Sequence, residues 1–518
     1  MFIISDKLIF LVTSVLTQAL RVLTSFIVLR FLVPEDYGLL GLVAILPGYL
    51  SPLGDFGIAR ALVQFRDLPA EVVESCALIV SLTLAGVYAS AYSGSGLYLY
   101  LYGYHVHNLL VLHDVRMILV GLVGAVTLIL ATIYTFQMSC LNRDLRFRAE
   151  AFQNLIFATA LSATGISLAL VAHHHRPFGV FAVALQPLVA QSIGNAVIYH
   201  RHPFRWPRAF QFAVAKKMLN YGWKVTAAQY ANNLLQSLAN TFILVVGGVG
   251  GLGVYGRATQ VSDMIGFSLL SSFDRVLHPL LRSVRDDEQR LRDLFIRGCI
   301  ASMLVCIFGW AWVAGNAPDL IRVVMGPQWS GVPSLLRVVS ISLLVAGPGA
   351  IGIVLVNALG KPLVWLKYGV ISVAVLCAAA GSSLIIHRSL EAIAGTYVLS
   401  QCVMNILLWA WASRTLGSES KKVIGHAVRL ALVGAATVGC IIFARHFFTT
   451  PLLRLIVGSG VAGIVFIGLV LLVDREAILN FRTLIQRRGP TAPPAPLSIG
   501  PDGRQMTELE VPGDDRPS

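Results

Sequence analysis

Apolar runs of membrane-spanning length succeed one another almost from one end of the chain to the other. Fourteen are predicted, near 8–32, 37–57, 76–102, 116–139, 151–171, 178–199, 221–246, 253–280, 294–314, 333–357, 363–386, 391–413, 424–446 and 452–473. A hydrocarbon core of about 30 Å takes about 20 residues of helix. The runs do not alternate apolar with polar residues, and lipid leaves no backbone group unsatisfied, so helices are the form open to them. Composition agrees: 56% of the 518 residues are hydrophobic and 13% charged, against about 25% charged in soluble domains. The expected class is an all-α integral membrane protein with about 14 transmembrane helices.

The net charge of +14 in a soluble protein would point to nucleic acid. Here the bases cluster between apolar runs, which makes membrane topology and anionic lipid the partners and excludes nucleic acid. Arg60 and Arg66 follow the second span, Arg143, Arg146 and Arg148 the fourth, Arg201, Arg205, Arg208, Lys216 and Lys217 the sixth. Arg282, Arg285, Arg290 and Arg292 follow the eighth, and Arg414, Lys421 and Lys422 the twelfth. The odd connections carry only scattered bases such as Arg116, Arg176, Arg322 and Arg388. Both termini are therefore expected in the cytoplasm, in keeping with an even number of spans. No cleavable signal is evident, and the stretch 487–518, rich in Pro, Gly and charge, is predicted to be disordered. The seven cysteines show no metal-ligand spacing; His173, His174 and His175 crowd one connection without further ligands. No cofactor and no metal are expected.

An internal repeat organises the spans. Tyr37-Gly38 returns as Tyr255-Gly256 at an offset of 218, Arg66-Asp67 as Arg285-Asp286 at 219, and "LNR" at 141–143 as "LGK" at 359–361 at 218. Gly165 and Gly179 match Gly381 and Gly395 at 216. The ordered series predicts two six-helix lobes, 1–200 and 221–415, with two further helices over 424–473. Six is even, so both lobes insert with one orientation and their pseudo-twofold axis runs along the membrane normal, with a substrate path between them.

Polar residues inside the spans then mark the candidate site. Ser14, Gln18, Arg21 and Ser25 share one face of the first span. Gln229, Asn232, Asn233, Gln236 and Asn240 form a stripe in the seventh, where Ser14 and Gln18 map onto Asn232 and Gln236. Two readings stand: glue between helices, or the walls of a shared polar cavity. Arg21 has no repeat counterpart, since Ala239 occupies that place. It lies about 20 Å along the helix from Lys7, where a charge costs at least about 2.5–3.5 kcal/mol, so it should face water, a partner or an anionic ligand. Arg257 is likewise unmatched, opposite Leu39, with Gln260 on nearly the same face. Asp263 is the nearest acid, either an ion-pair partner of one arginine or a site of proton uptake. Arg30, near the end of the first span, extends a basic track or snorkels to the interface.

"LRFLVPEDYGLLGLVAILPGYLSPLGDFGIARALVQFRDL", "LNRDLRFRAEAFQNL", "VYGRATQV", "LHPLLRSVRDDEQRLRDLF" and "MGPQW", as an ordered set, resemble Wzx-type polysaccharide-biosynthesis flippases. These belong to the multidrug/oligosaccharidyl-lipid/polysaccharide exporter superfamily. The resemblance covers about residues 1–480 and is nearest the branch associated with exopolysaccharide and colanic-acid-like repeat units. It implies a two-lobed, fourteen-helix transporter of the bacterial cytoplasmic membrane, not an enzyme. It also implies movement of an undecaprenyl-diphosphate-linked oligosaccharide through a cationic cavity, for exopolysaccharide or lipopolysaccharide synthesis, beside a polymerase and export machinery. On that reading Arg21, Arg257, Gln18, Gln229, Asn232, Asn233, Gln236, Asn240, Gln260 and Arg30 contact substrate. A multidrug exporter of the same superfamily, whose cavity should present acid, is the nearest alternative; a membrane polymerase or ligase is the alternative from another class.

Overall fold

The computed structural model describes residues 2–486 apart from 52, 53, 55, 66, 67, 107, 108, 204–208, 285, 286, 362, 418 and 419. The tail 487–518 and the Arg66-Asp67 and Arg285-Asp286 repeat pair lie outside the described residues. The chain opens with α1 (Phe2–Leu29), α2 (Pro34–Leu50), the short α3 (Ile58–Gln64) and α4 (Ala70–Tyr102). An antiparallel hairpin of β1 (Tyr104–Val106) and β2 (Leu109–Val111) pairs Tyr104 with Val111. Then come α5 (Val115–Arg143), α6 (Phe147–His174), α7 (Gly179–Arg201), α8 (Phe212–Ser283) and α9 (Glu288–Val324). The rest is α10 (Val332–Ser340), α11 (Leu343–Ala358), α12 (Leu363–Ile386), α13 (Leu390–Thr415), α14 (Ser420–Arg445), α15 (Pro451–Val473) and α16 (Arg475–Gln486).

Eleven helices among the described residues are long and apolar enough to cross a membrane, and the bent pair α10–α11 makes a twelfth. This is a multi-pass membrane protein, but the fourteen expected spans do not emerge as fourteen separate helices. The reasons are local. α8 is one element of 72 residues with a break at Gly248, whose φ of 61° and ψ of −161° suit glycine alone. Its apolar stretch, Tyr230–Ser271, has 42 residues, about twice what a bilayer needs. α2 has 17 residues and closes on Ser51 as its C-cap, short of the expected 37–57, while Phe56 and Gly57, both at positive φ, turn the chain into α3. The expected tenth span bends by 47°, where Ser340 and Ser342 donate to the carbonyls of Arg337 and Val339 at 2.9 and 2.8 Å. Such back-bonding loosens a helix ladder. The hairpin and the polar α16 are additions that apolar runs do not reveal.

Two ends of the bundle follow from helix direction. The hairpin end carries Arg30, β1–β2, Gly248 and Val324; the basic end carries Arg143, Arg201, Arg292 and Arg414. Helix starts are set by short polar side chains: Asp114 accepts from Arg116 N at 3.0 Å, Asp287 from Arg290 N at 3.0 Å, and Ser389 from Ala392 N at 3.2 Å. The α1–α7 helices pack chiefly on one another, as do α8–α13, and α2 joins the two groups along α8. A Cβ on Gly38 would strike the Val249 carbonyl, and one on Gly253 the Pro34 carbonyl. Backbone therefore meets backbone at the hairpin end of that seam. Towards the basic end Tyr49 Oη bonds Thr241 Oγ1 at 2.7 Å.

Candidate functional site

α1 packs on α6 through Thr17, Thr24 and Val28, all buried. Arg21 falls between Thr17 and Thr24 on that side, half-buried. Its guanidinium lies 5.5 Å from the Phe157 ring centroid, and Phe157 in turn stacks on Tyr134 at 5.1 Å. Arg21 Nε and the hydroxyls of Thr17 and Tyr134 are shut off without a hydrogen-bond partner among the described residues. A ring face offers a cation modest attraction, about 0.5–2 kcal/mol, far less than a carboxylate would. The sequence placed Arg21 with Ser14, Gln18 and Ser25; of these Ser14 and Ser25 are half-buried and Gln18 is exposed.

Arg257 is the other deep guanidinium. It lies nine residues beyond the Gly248 hinge, as Arg21 lies eight before the end of α1, so both stand about 12–14 Å from the hairpin end. Arg257 bridges the two helix groups: its guanidinium sits 4.0 Å from the centroid of Tyr37 on α2, which itself lies 5.8 Å from Trp329. It donates to Gln260 Oε1, while its Nε has no partner among the described residues. No ion pair among the described residues involves Arg21, Arg257 or Asp263, and Asp263 is exposed. The ion-pair reading of Asp263 finds no such contact, and no contact joins Arg21 to Arg257.

Elsewhere the expected set divides. Asn232, Asn233, Gln236 and Asn240 are half-buried along the first part of α8; the side chain of Gln229 lies outside the described residues. Asn232 accepts from Gln401 at 3.5 Å, and Gln401 also donates to Tyr397 Oη at 2.9 Å, so the stripe meets a polar patch of α13 that spacing alone did not single out. Arg30 is engaged at the hairpin end: it donates to the carbonyls of Val323 and Val324, where the last turn of α9 presents unpaired acceptors. Gln328 and Trp329 close the same joint by donating to the Leu29 carbonyl at 3.2 and 2.8 Å.

Two buried side-chain pairs were not legible in advance. Arg445 Nε stands 2.6 Å from Asp319 Oδ2, although its N–H does not aim along that line, so the contact is Coulombic rather than directional; its Nη1 donates to Gly315 O at 3.1 Å. His426 Nδ1 lies 2.6 Å from Asp474 Oδ2, both buried, and ties α14 to the start of α16. No group of three or more metal-ligating side chains converges among the described residues; His173 stacks instead on Phe31 at 5.6 Å.

A bundle of long apolar helices, broken at a glycine and holding Arg21 and Arg257 away from any carboxylate among the described residues, is a fold known from solved structures. It is shared by the lipid II flippase MurJ in an inward closed conformation, with 11% identity over 92% of this chain and 100% of that one and a TM-score of 0.68. An inward-facing MATE-family multidrug resistance transporter of the MOP superfamily matches with 17% identity over 77% and 94%, at a TM-score of 0.59. The chain belongs to the polysaccharide biosynthesis protein family, whose model matches residues 27–334, and the resemblance read from the ordered motifs holds. The succinoglycan biosynthesis transport protein ExoT of Rhizobium meliloti (strain 1021) is 22% identical over 92% of this chain and 94% of its own. The lipopolysaccharide biosynthesis protein WzxC of Escherichia coli (strain K12) is 21% identical over 64% of each.

Proposed function

We propose that this protein is a flippase for undecaprenyl-diphosphate-linked oligosaccharide repeat units, carrying them from the inner to the outer leaflet of the bacterial cytoplasmic membrane for exopolysaccharide or lipopolysaccharide synthesis. One observation carries the reading: two deep guanidinium groups, Arg21 and Arg257, lean on aromatic rings and have no carboxylate partner among the described residues. A charge left uncompensated in a bilayer is costly. An arriving diphosphate supplies the missing counter-charge, and the planar guanidinium can give it two parallel bonds.

Two six-span lobes, 1–200 and 221–415, are the proposed moving parts. Helix starts support the repeat: α4 and α9 begin at 70 and 288, α5 and α10 at 115 and 332, α6 and α12 at 147 and 363, α7 and α13 at 179 and 390. With α8 counted as two spans about Gly248, α10–α11 as one and α2 as a short one, the total comes to fourteen. The basic end then faces the cytoplasm, with both termini. Arg257 touches α2 across the lobes, so rocking that opens the seam would expose it. Gln18, Asn233, Gln236 and Asn240 would meet sugar hydroxyls, with Asn232, Gln260 and Arg30 at the margins of the path, while the prenyl tail stays in lipid; Gln229 stays a candidate from its place in the sequence stripe alone. Asp263, exposed and unpaired with either arginine, is the candidate for proton uptake. A polymerase and export machinery would receive the product.

A multidrug exporter shares the fold, but organic cations call for acid where this chain presents guanidinium groups. The test reconstitutes the purified protein with a lipid-linked oligosaccharide and follows its arrival in the opposite leaflet. Arg21→Ala and Arg257→Ala should each slow transfer, and Arg21→Lys should fall between. Wild-type rates in both alanine variants would remove the roles assigned here.

A further inference from the structure

At the basic end a cavity of about 610 Å³ opens between α1 and the turn joining α5 to α6, lined among others by Thr13, Arg146, Phe147, Arg148 and Phe152. The turn is shaped by Leu145 in a left-handed conformation, φ 57°, which carries Arg146 and Arg148 to the cavity. The neighbouring Arg143 is engaged elsewhere, pairing with Glu74 at 3.6 Å and donating to the Leu68 carbonyl at 3.3 Å. Arg146 has exposed contacts with Asp144 at 3.6 Å and with His202 Nδ1 at 3.5 Å, weak ties in water, and Arg148 has no ion pair among the described residues. A third guanidinium, that of Arg201, lies 4.7 Å from the Phe152 ring on the cavity wall. No acid is among the lining residues.

We infer that this cavity is a docking site for the diphosphate headgroup of a prenyl-linked lipid, occupied before the lipid reaches Arg21. The inference rests on the flippase reading. Two guanidinium groups line the cavity and that of Arg201 flanks it, so even with Asp144 beside Arg146 the site suits two negative charges, whereas a phospholipid such as phosphatidylglycerol brings one. The exposed Phe147 and Phe152 give an apolar rim beside the bilayer surface for the first prenyl units. Thr13 also sets direction. It begins the α6-facing row of α1 that continues through Thr17 to Arg21, two steps of about 6 Å each, and Thr17 Oγ1 has no hydrogen-bond partner among the described residues. A headgroup held at the turn thus stands at the foot of a polar row leading to the first deep arginine.

The experiment measures equilibrium binding of farnesyl diphosphate to the purified full-length protein in neutral detergent, on an Arg21→Ala/Arg257→Ala background so that the deep site is silent. Binding should persist there and weaken by about tenfold or more on adding Arg146→Ala and Arg148→Ala, since charge-assisted bonds to phosphate are the strong ones. The corresponding lysine pair should recover part of the affinity, which excludes a folding defect. Phosphatidylglycerol at the same concentration should displace little of the probe. Unchanged binding after the two alanine changes, equal displacement by phosphatidylglycerol, or no binding to the background protein would each overturn the inference. The transfer assay judges the flippase reading separately, because it reports on Arg21 and Arg257.

Discussion

Arg445 and Arg21 enter the same bundle in opposite ways. Arg445 closes on Asp319 at 2.6 Å and on the Gly315 carbonyl, so its charge is answered within the protein. Arg21 meets the Phe157 ring and leaves its Nε without a partner among the described residues. The first arrangement fixes α14 to α9 and needs nothing further. The second is an unbalanced charge, stable only with water or an anion beside it. Burial alone therefore does not separate an arginine answered within the protein from one left without a carboxylate; the partner does.

The comparison breaks most visibly at the paired site. Asp319→Ala strands Arg445, and removing one member of a buried pair costs about 3–5 kcal/mol; a large fall in melting temperature in detergent checks it. Arg21→Met should do the reverse, leaving the melting temperature equal or higher while cutting lipid-linked substrate transfer by about 10- to 100-fold, the loss of one or two charged hydrogen bonds. A melting point lowered as far as that of Asp319→Ala would make Arg21 structural. The seam between α2 and α8 comes next. Gly38→Val pushes against the Val249 carbonyl and should cost about 1–3 kcal/mol as overpacking. It should also raise water-soluble maleimide labelling of a Tyr37→Cys partner substitution; unchanged labelling would mean that the seam closes regardless.

The smallest effect lies in the hairpin. Burial works to raise the pKa of Asp114, but hydrogen bonds from Arg116 and Tyr104 outweigh it and hold the carboxyl below its ordinary value. A depressed carboxylate stabilises above its unfolded pKa and loses that contribution as pH falls through the folded one. Amide protection over β1 and β2 should thus hold at neutral pH and decline only in strong acid, by about 1 kcal/mol or less. Asp114→Asn should abolish that dependence in hydrogen exchange.

Much of this was readable from residues alone, because long apolar runs in lipid have one backbone solution. The run over 363–386 became α12 with the same bounds, and the glycine cluster after Val246 became the break in α8. Where the reading slipped, local backbone chemistry was responsible: α2 closed on Ser51, and serine back-bonding bent α10 from α11. At the site, repeat offsets singled out Arg21 and Arg257 as unmatched, but offsets say nothing of side-chain partners. Tyr37 beneath Arg257, Gln401 against Asn232 and the Asp319–Arg445 pair each join helices far apart in the chain. Only packing brings such residues together.

The most direct measurement deletes the protein in the bacterium that makes it and asks on which side of the cytoplasmic membrane lipid-linked oligosaccharide builds up. A flippase predicts completed repeat units held on the cytoplasmic face, released by the wild-type protein and not by the Arg21→Ala/Arg257→Ala form. Units that reach the outer face and wait there unpolymerised would contradict it.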